Sequence, residues 1–351
     1  MTEHYQELYK KYRPRTWDDI IGQDTVVASL RQAPITGKIP TGYMFFGGHG
    51  CGKTSSALIL AKSLNCSNLQ ENGNPCNECP TCIAIDKQTQ IGVQYISMAN
   101  RGSAEDVRKI VQEAQLAQPI KHQVWILDEC HRLSGPAFDA LLIPLESEKT
   151  KSLFIFCSTE PEKIPKTILS RLQTRTFNPV DPKTLAKNLK HIVDSEGLDV
   201  SVEDIIRAAR SANGSVRDSI RNLETLITDG ELPEQYSEKV LRLANTTKFT
   251  DVFALTNEMI AQGQSFTETA QRLYTDLSSV LILMSGGIPV VTYPVMEELA
   301  SAVPPALIIR YLDILGNSID AMSRNTVDSR VLFDIALTKM VTLRRKLEGR
   351  K

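Results

Sequence analysis

The chain has no excess of charge of either sign: 40 Lys and Arg stand against 41 Asp and Glu, a formal net charge of −1. Overall attraction to a polyanion is therefore excluded, and any nucleic-acid contact has to come from a locally basic surface. Long apolar runs are missing as well. A membrane-spanning helix needs roughly 20 apolar residues, and the best candidates, around 278–291, are short and contain Ser and Gly. Glu3, Glu7 and several Lys and Arg crowd the N-terminus, where a secretory leader would carry an apolar core. The expectation is a soluble cytoplasmic protein without membrane contact, whose 351 residues suffice for two or three domains.

What is present centres on residues 43–54, YMFFGGHGCGKT. An apolar run that reads as a buried strand leads into Gly47, Gly48, Gly50 and Gly52. Lys53, Thr54 and Ser55 then open a segment with helical periodicity. Strand, glycine loop and helix in this order suit phosphate binding. Glycines let backbone N–H groups turn inward around phosphate oxygens, Lys53 reaches the β- and γ-phosphates, and the Thr54 hydroxyl can hold Mg²⁺. The second half of such a site is an apolar strand ending in a carboxylate, and Val124-Trp125-Ile126-Leu127-Asp128-Glu129 supplies it. Asp128 is expected to bind the metal through its water shell, and Glu129 to polarise the attacking water. The bland alternative is a pair of carboxylates opening an ordinary helix.

Seven cysteines occur, four of them as Cys66-x9-Cys76-x2-Cys79-x2-Cys82 in a polar segment. Tight Cys-x2-Cys spacing in an intracellular protein argues for Zn²⁺ before disulfides, because thiolates on short turns converge tetrahedrally on one soft cation. Four sulfur ligands make a closed, structural site. A redox pair or an iron–sulfur cluster is the competing reading.

Other segments leave two readings each. Tyr9 to Trp17, containing Arg13 and Pro14, is either a basic surface arm or a flap over a planar ligand. Arg101, Arg108 and Lys109 lie near the start of a helix capped by Ser103, where they either grip DNA phosphates or form a solvated charged face. The buried strand 153–157 ends at Ser158-Thr159, a position from which a hydroxyl orients water or reads a γ-phosphate. Arg171, on the following short helix, is an ordinary surface residue or a charge supplied to a neighbouring subunit's ATP.

Together these stretches resemble the γ/τ family of bacterial clamp-loader ATPases of DNA polymerase III, within the AAA+ proteins. YKKYRPRTW, GGHGCGKT, the four-cysteine insert, VWILDECH, LSGPAFDALLIPLE, CSTEPEKIPKTILSR and GSVRD follow the family's order over about the first 225 residues. The insert is the most specific of these. The resemblance implies that Arg13 and Pro14 lie near the adenine, that Thr159 is the first sensor, that Arg171 acts in trans and that Arg217 is the second sensor. It also implies a sliding clamp, primer–template DNA and further loader subunits in a pentameric assembly as partners. Two departures stand out: Leu172 replaces the family's cysteine, and Glu146-Ser147-Glu148-Lys149 replaces its Glu-Glu-Pro-Pro. The expectation is a short form of bacterial or bacteriophage origin.

The expected architecture is an α/β P-loop AAA+ module over 1–178 with a zinc-binding insert at 64–84, then a small helical lid over 179–243 and an all-helical oligomerisation collar over 244–351. Lid helices are expected at 185–196, 202–211 and 215–228, with Asp218 holding the start of the third beside Arg217. The expected activity is ATP hydrolysis that opens a clamp and places it on DNA during replication. The alternatives are another DNA-remodelling or helicase-loading AAA+ ATPase, a superfamily helicase suggested by Asp128-Glu129-Cys130-His131, and a largely structural replisome subunit.

Overall fold

The computed structural model describes residues 7–99, 101–116, 118–147, 152–230, 232, 236–244, 249–287, 289, 292, 294–324 and 327–348. Glu148 and Lys149, named above, lie outside them. The chain divides after Gly230 into two compact units.

The first unit is built on a five-stranded parallel sheet. Its strands are β1 (Gly42–Gly47), β2 (Val93–Ser97), β3 (Gln123–Asp128), β4 (Ser152–Ser158) and β5 (Gln173–Phe177), in the order β2-β3-β4-β1-β5. Continuous apolar runs form β1, β3 and β4 because both faces are covered, and successive side chains feed opposite layers. Tyr43, Phe45, Val124, Ile126, Leu153 and Ile155 pack with Leu30, Ile59 and Leu60 from the helices Asp24–Thr36 and Lys53–Asn65. Met44, Phe46, Trp125, Leu127, Phe154 and Phe156 pack with Val107, Ile110, Phe138 and Leu141 from the helices Ala104–Gln115 and Gly135–Glu146. At the sheet edge β5 exposes Gln173, Thr174 and Thr176, polar residues that blunt strand addition. Leu172 belongs to the second layer, packed where a side chain on Gly42 would otherwise sit. The departure from the family's cysteine is thus absorbed in the core.

Three helices, Pro182–Glu196, Val202–Ser211 and Val216–Asp229, complete this unit. Side-chain oxygens of Asp181, Ser201 and Ser215 accept the backbone N–H of Thr184, Asp204 and Asp218 at 2.9, 3.1 and 3.1 Å. Each satisfies an otherwise orphaned donor. At the third helix Ser215 makes the capping bond, while Asp218 contributes the first-turn negative charge.

The secondary-structure elements of the second unit, among the described residues, are all helices: Tyr236–Ala244, Phe249–Ala261, Phe266–Met284, Pro294–Ala302, Pro305–Ser323 and Ser329–Glu348. Leu273, Leu277, Val280, Ile308, Tyr311, Leu315, Phe333 and Leu337 form its core. Among the described residues no single helix is long and apolar enough to cross a membrane.

Candidate active site and metal centre

In a parallel sheet the C-terminal strand ends form the rim at which ligands bind, and here that rim carries the glycine loop and the Asp-Glu pair. The loop leaves β1 at Gly47 and turns at Gly50 with φ 68°. A Cβ at Gly50 would collide with Ser215 Oγ, so only glycine closes this turn. The Gly50 carbonyl accepts the Val216 N–H at 3.1 Å, which ties the loop to the helix bearing Arg217.

Lys53 starts the next helix and is buried; its ammonium donates to the carbonyls of Gly47 and Gly48 at 2.7 and 2.6 Å. The Thr54 hydroxyl donates to Asp128 Oδ2 at 2.8 Å, and the Tyr95 hydroxyl donates to the same oxygen at 2.9 Å. Burial, followed by the Asp128 charge, raises the Tyr95 pKa well above its ordinary value, which keeps the phenol a donor. The Glu129 N–H donates to Asp128 Oδ1 at 2.9 Å, so both carboxylate oxygens are oriented.

Glu129 itself adopts φ 55°, ψ 36°, the left-handed region. Its carboxylate lies 3.2 Å from His131 Nε2 and 4.0 Å from His49 Nδ1. His131, nearly buried, also lies 3.1 Å from Glu160 Oε1 and, through Nδ1, 3.3 Å from Ser158 Oγ. The imidazole therefore joins the Asp-Glu strand end to that of β4.

These groups surround a cavity of about 650 Å³. Gly50, Gly52, Lys53, Thr54, Ser55, Asp128 and Glu129 form its floor, Arg13 and Pro14 one wall, and Arg217 another. Leu58, Ile21 and Ile220 add apolar surface. Arg13 is exposed at the cavity, yet the protein around it desolvates the guanidinium enough to lower its pKa. Neither the Arg13 nor the Arg217 guanidinium has a hydrogen-bond or ion-pair partner among the described residues. Two unpaired guanidiniums facing a cavity that also holds an ammonium make an anion-attracting site.

The remaining expected residues lie elsewhere. Thr159 follows the end of β4 and does not line the cavity. Arg171 is also away from it, donating to the Thr167 carbonyl at 2.6 Å and pairing with Glu146. Arg101 and Arg108 are exposed at the start of Ala104–Gln115, and Lys109 pairs with Glu105 at 3.1 Å. Ser103 caps that helix, accepting the Asp106 N–H at 3.2 Å.

Cys66, Cys76, Cys79 and Cys82 converge: their sulfurs all lie within 4.8 Å of one another. Backbone N–H groups of Cys76, Cys79 and Cys82 point at the sulfurs of Cys66, Cys76 and Cys79 at 3.3, 3.3 and 3.5 Å. Donors of this kind stabilise thiolates. At Cys79 burial pushes the thiol up, but N–H groups of Ser67 and Cys82 outweigh it and bring the pKa down to about 6. Four convergent sulfurs with donors aimed at them fit a closed tetrahedral Zn²⁺ site. Cys51, Cys130 and Cys157 are buried and apart from this cluster.

Sequence reasoning missed Tyr95, His131 and Lys62. Tyr95 and Lys62 carry no local signal, because the partners that give them meaning are distant in the chain. His131 had one in its position beside the Asp-Glu pair.

The family model described as "DNA polymerase III, delta subunit" matches residues 22–181. The tau subunit of DNA polymerase III from Bacillus subtilis is 29% identical over 96% of this chain and 63% of its own length. The gamma subunit from Buchnera aphidicola is 32% identical over 68% of this chain and 64% of its own. The chain is a homologue of the DNA polymerase III gamma/tau subunits. This gamma/tau homologue spans under two thirds of the relatives it matches; for the Escherichia coli tau subunit, 35% identical, the share is 35%. Among solved structures, a point variant of RuvB from Thermotoga maritima superposes with a TM-score of 0.51 at 18% identity, covering 84% of this chain and 99% of that one. That likeness is one of fold. The cavity, the cysteine cluster and the helical C-terminal region therefore belong to an AAA+-like α/β chain similar to DNA polymerase III gamma and tau subunits.

Proposed function

We propose that this chain is an ATP-hydrolysing clamp-loader subunit. The observation that carries the reading is the convergence of Lys53, Thr54, Asp128, Glu129, Arg13 and Arg217 on one cavity at the strand ends. On this reading residues 1–178 bind the nucleotide, 179–243 form a lid and 244–351 an oligomerising collar.

Lys53 exchanges its two carbonyl acceptors for β- and γ-phosphate oxygens, and the loop N–H groups orient the same phosphates. Thr54 and Asp128, already bonded to each other, hold Mg²⁺, which when bound neutralises charge on the phosphates. Glu129 orients and activates a water, steered by His131. Thr159, which does not line the cavity in this conformation, would read the γ-phosphate only once the end of β4 closes toward the bound nucleotide. Arg217 contributes charge in cis, while Arg171 does so across a subunit boundary, since its segment lies away from its own cavity. Arg13 and Pro14 flank the adenine.

The names of the relatives support a place in a DNA polymerase III assembly. The partners that follow are a sliding clamp, primer–template DNA and other loader subunits in a pentameric assembly. Arg101, Arg108 and Lys109 are proposed to touch DNA phosphates without reading bases.

The test compares two variants by ATP titration and by steady-state turnover. Lys53→Ala should weaken ATP binding at least about tenfold, because it removes charge-assisted hydrogen bonds to phosphate. Glu129→Gln should bind ATP normally and lose turnover by roughly 10²- to 10⁴-fold. Unchanged affinity in the first or normal turnover in the second overturns the corresponding role. Failure of wild-type assemblies to retain a clamp on primed circular DNA would favour another AAA+ remodelling role.

A further inference from the structure

Lys62 is a buried cation that none of the roles above uses. It lies on the helix opened by Lys53, its side chain is 1% exposed, and its ammonium meets three oxygens. These are Asn77 Oδ1 at 2.7 Å, the Arg15 carbonyl at 3.0 Å and Asp86 Oδ1 at 3.0 Å. Each partner comes from a different place. Asn77 stands between Cys76 and Cys79, Asp86 ends the short helix Pro80–Asp86 that Cys79 caps, and Arg15 follows the Arg13 and Pro14 that wall the cavity.

A second tie runs beside the first. Buried Asn74 accepts the Trp17 N–H at 3.0 Å and donates to Asp18 Oδ2 at 2.6 Å, and the Trp17 indole donates to Ser63 Oγ at 3.2 Å. The insert thus grips the 13–19 arm at two points. Its own shape depends on the sulfurs: Asn77, at φ 59°, stands between Cys76 and Cys79, whose backbone N–H groups point at Cys66 Sγ and Cys76 Sγ, each at 3.3 Å. A buried ammonium cannot give up a partner without being left undercompensated, so the three oxygens are held together firmly.

We propose that the four-cysteine insert is a brace that sets the N-terminal arm over the cavity, with Lys62 as the positioning residue. Metal at the sulfurs then governs the arm wall of the site. This deepens the ATP-binding reading and rests on it.

Asn77→Gly is the sharpest variant, since glycine accepts φ 59° and only the amide is lost. Lys62→Met and chelator-stripped wild type accompany it. Metal content per chain, hydrogen–deuterium exchange of residues 13–19, and affinities for ATP and for inorganic tripolyphosphate are measured under reducing conditions. Asn77→Gly should keep wild-type zinc, speed exchange in the arm roughly tenfold and weaken ATP about as much, leaving tripolyphosphate unchanged. Stripping the metal should reproduce the faster exchange and the ATP-selective loss. Unchanged arm exchange in both Asn77→Gly and the stripped protein overturns the brace, as does an equal loss of ATP and tripolyphosphate. Should Asn77→Gly not fold, Lys62→Met and the stripped protein decide by the same measures. A wild type that binds neither ligand removes the nucleotide reading alone, and arm exchange still decides the brace.

Discussion

Arg171 illustrates how a single residue can be committed in one chain and required in another. Its guanidinium is tied to Glu146, both partners being substantially exposed, and such a pair contributes at most about 1 kcal/mol. If Arg171 serves a neighbour's ATP, Glu146 competes with that phosphate. Glu146→Gln should therefore leave the melting temperature nearly unchanged and raise DNA-stimulated turnover roughly two- to fivefold, the worth of the lost pair. A turnover that falls instead would show that Glu146 aims the guanidinium rather than restraining it. Lys53, Thr54, Asp128 and the four cysteines were legible as single letters because their chemistry depends on short spacings. Tyr95 was not, since its value lies in a 2.9 Å bond to a carboxylate on the adjacent strand, and only the β2–β3 register creates it.

At the level of elements, most limits could be read from apolar periodicity and caps. The helix expected at 202–211 is Val202–Ser211, and that expected at 185–196 begins at Pro182, because Asp181 caps it and proline suits the first turn. The short helix Pro80–Asp86 was hidden, its cap being the Cys79 thiol in a segment read for its metal chemistry. In the second unit, the helix Phe266–Met284 carries Asp276, whose burial lifts its pKa from the ordinary 3.8 to about 6. The folded state then binds this proton more tightly than the unfolded state does. Stability from it is fully present below 3.8 and is lost as pH rises through about 6. Asp276→Asn should raise the melting temperature of this unit at pH 7.5, by up to about 3 kcal/mol in stability, and confer no gain near pH 4. Thermal melts at the two pH values check the sign; a gain equal at both would mean that the carboxylate charge is not the cause.

For the whole molecule, the proposed assembly makes a directional prediction. Arg171→Ala carries an intact phosphate loop, and Lys53→Ala an intact Arg171. Neither variant alone should show the turnover that clamp and primer–template DNA stimulate. A mixture should recover part of it, because some interfaces then pair a whole loop with a whole arginine. Full DNA-stimulated turnover by assemblies made only of Arg171→Ala would end the trans assignment. Near-neutral net charge makes these assemblies depend on local basic groups, so raised salt should weaken DNA stimulation more than ATP binding.

Glu129 adopts a backbone conformation that an L-residue other than Asn or Asp takes up at a cost of roughly 1–2 kcal/mol, and glycine almost without one. The strand end is thus a place where endurance and turnover pull in opposite directions. If Glu129 activates the attacking water as proposed, lineages propagated for heat resistance alone would drift toward glycine at 129, becoming hardier and inert by one substitution; on that reading, a glutamate retained there is the mark of a protein kept under demand for its chemistry.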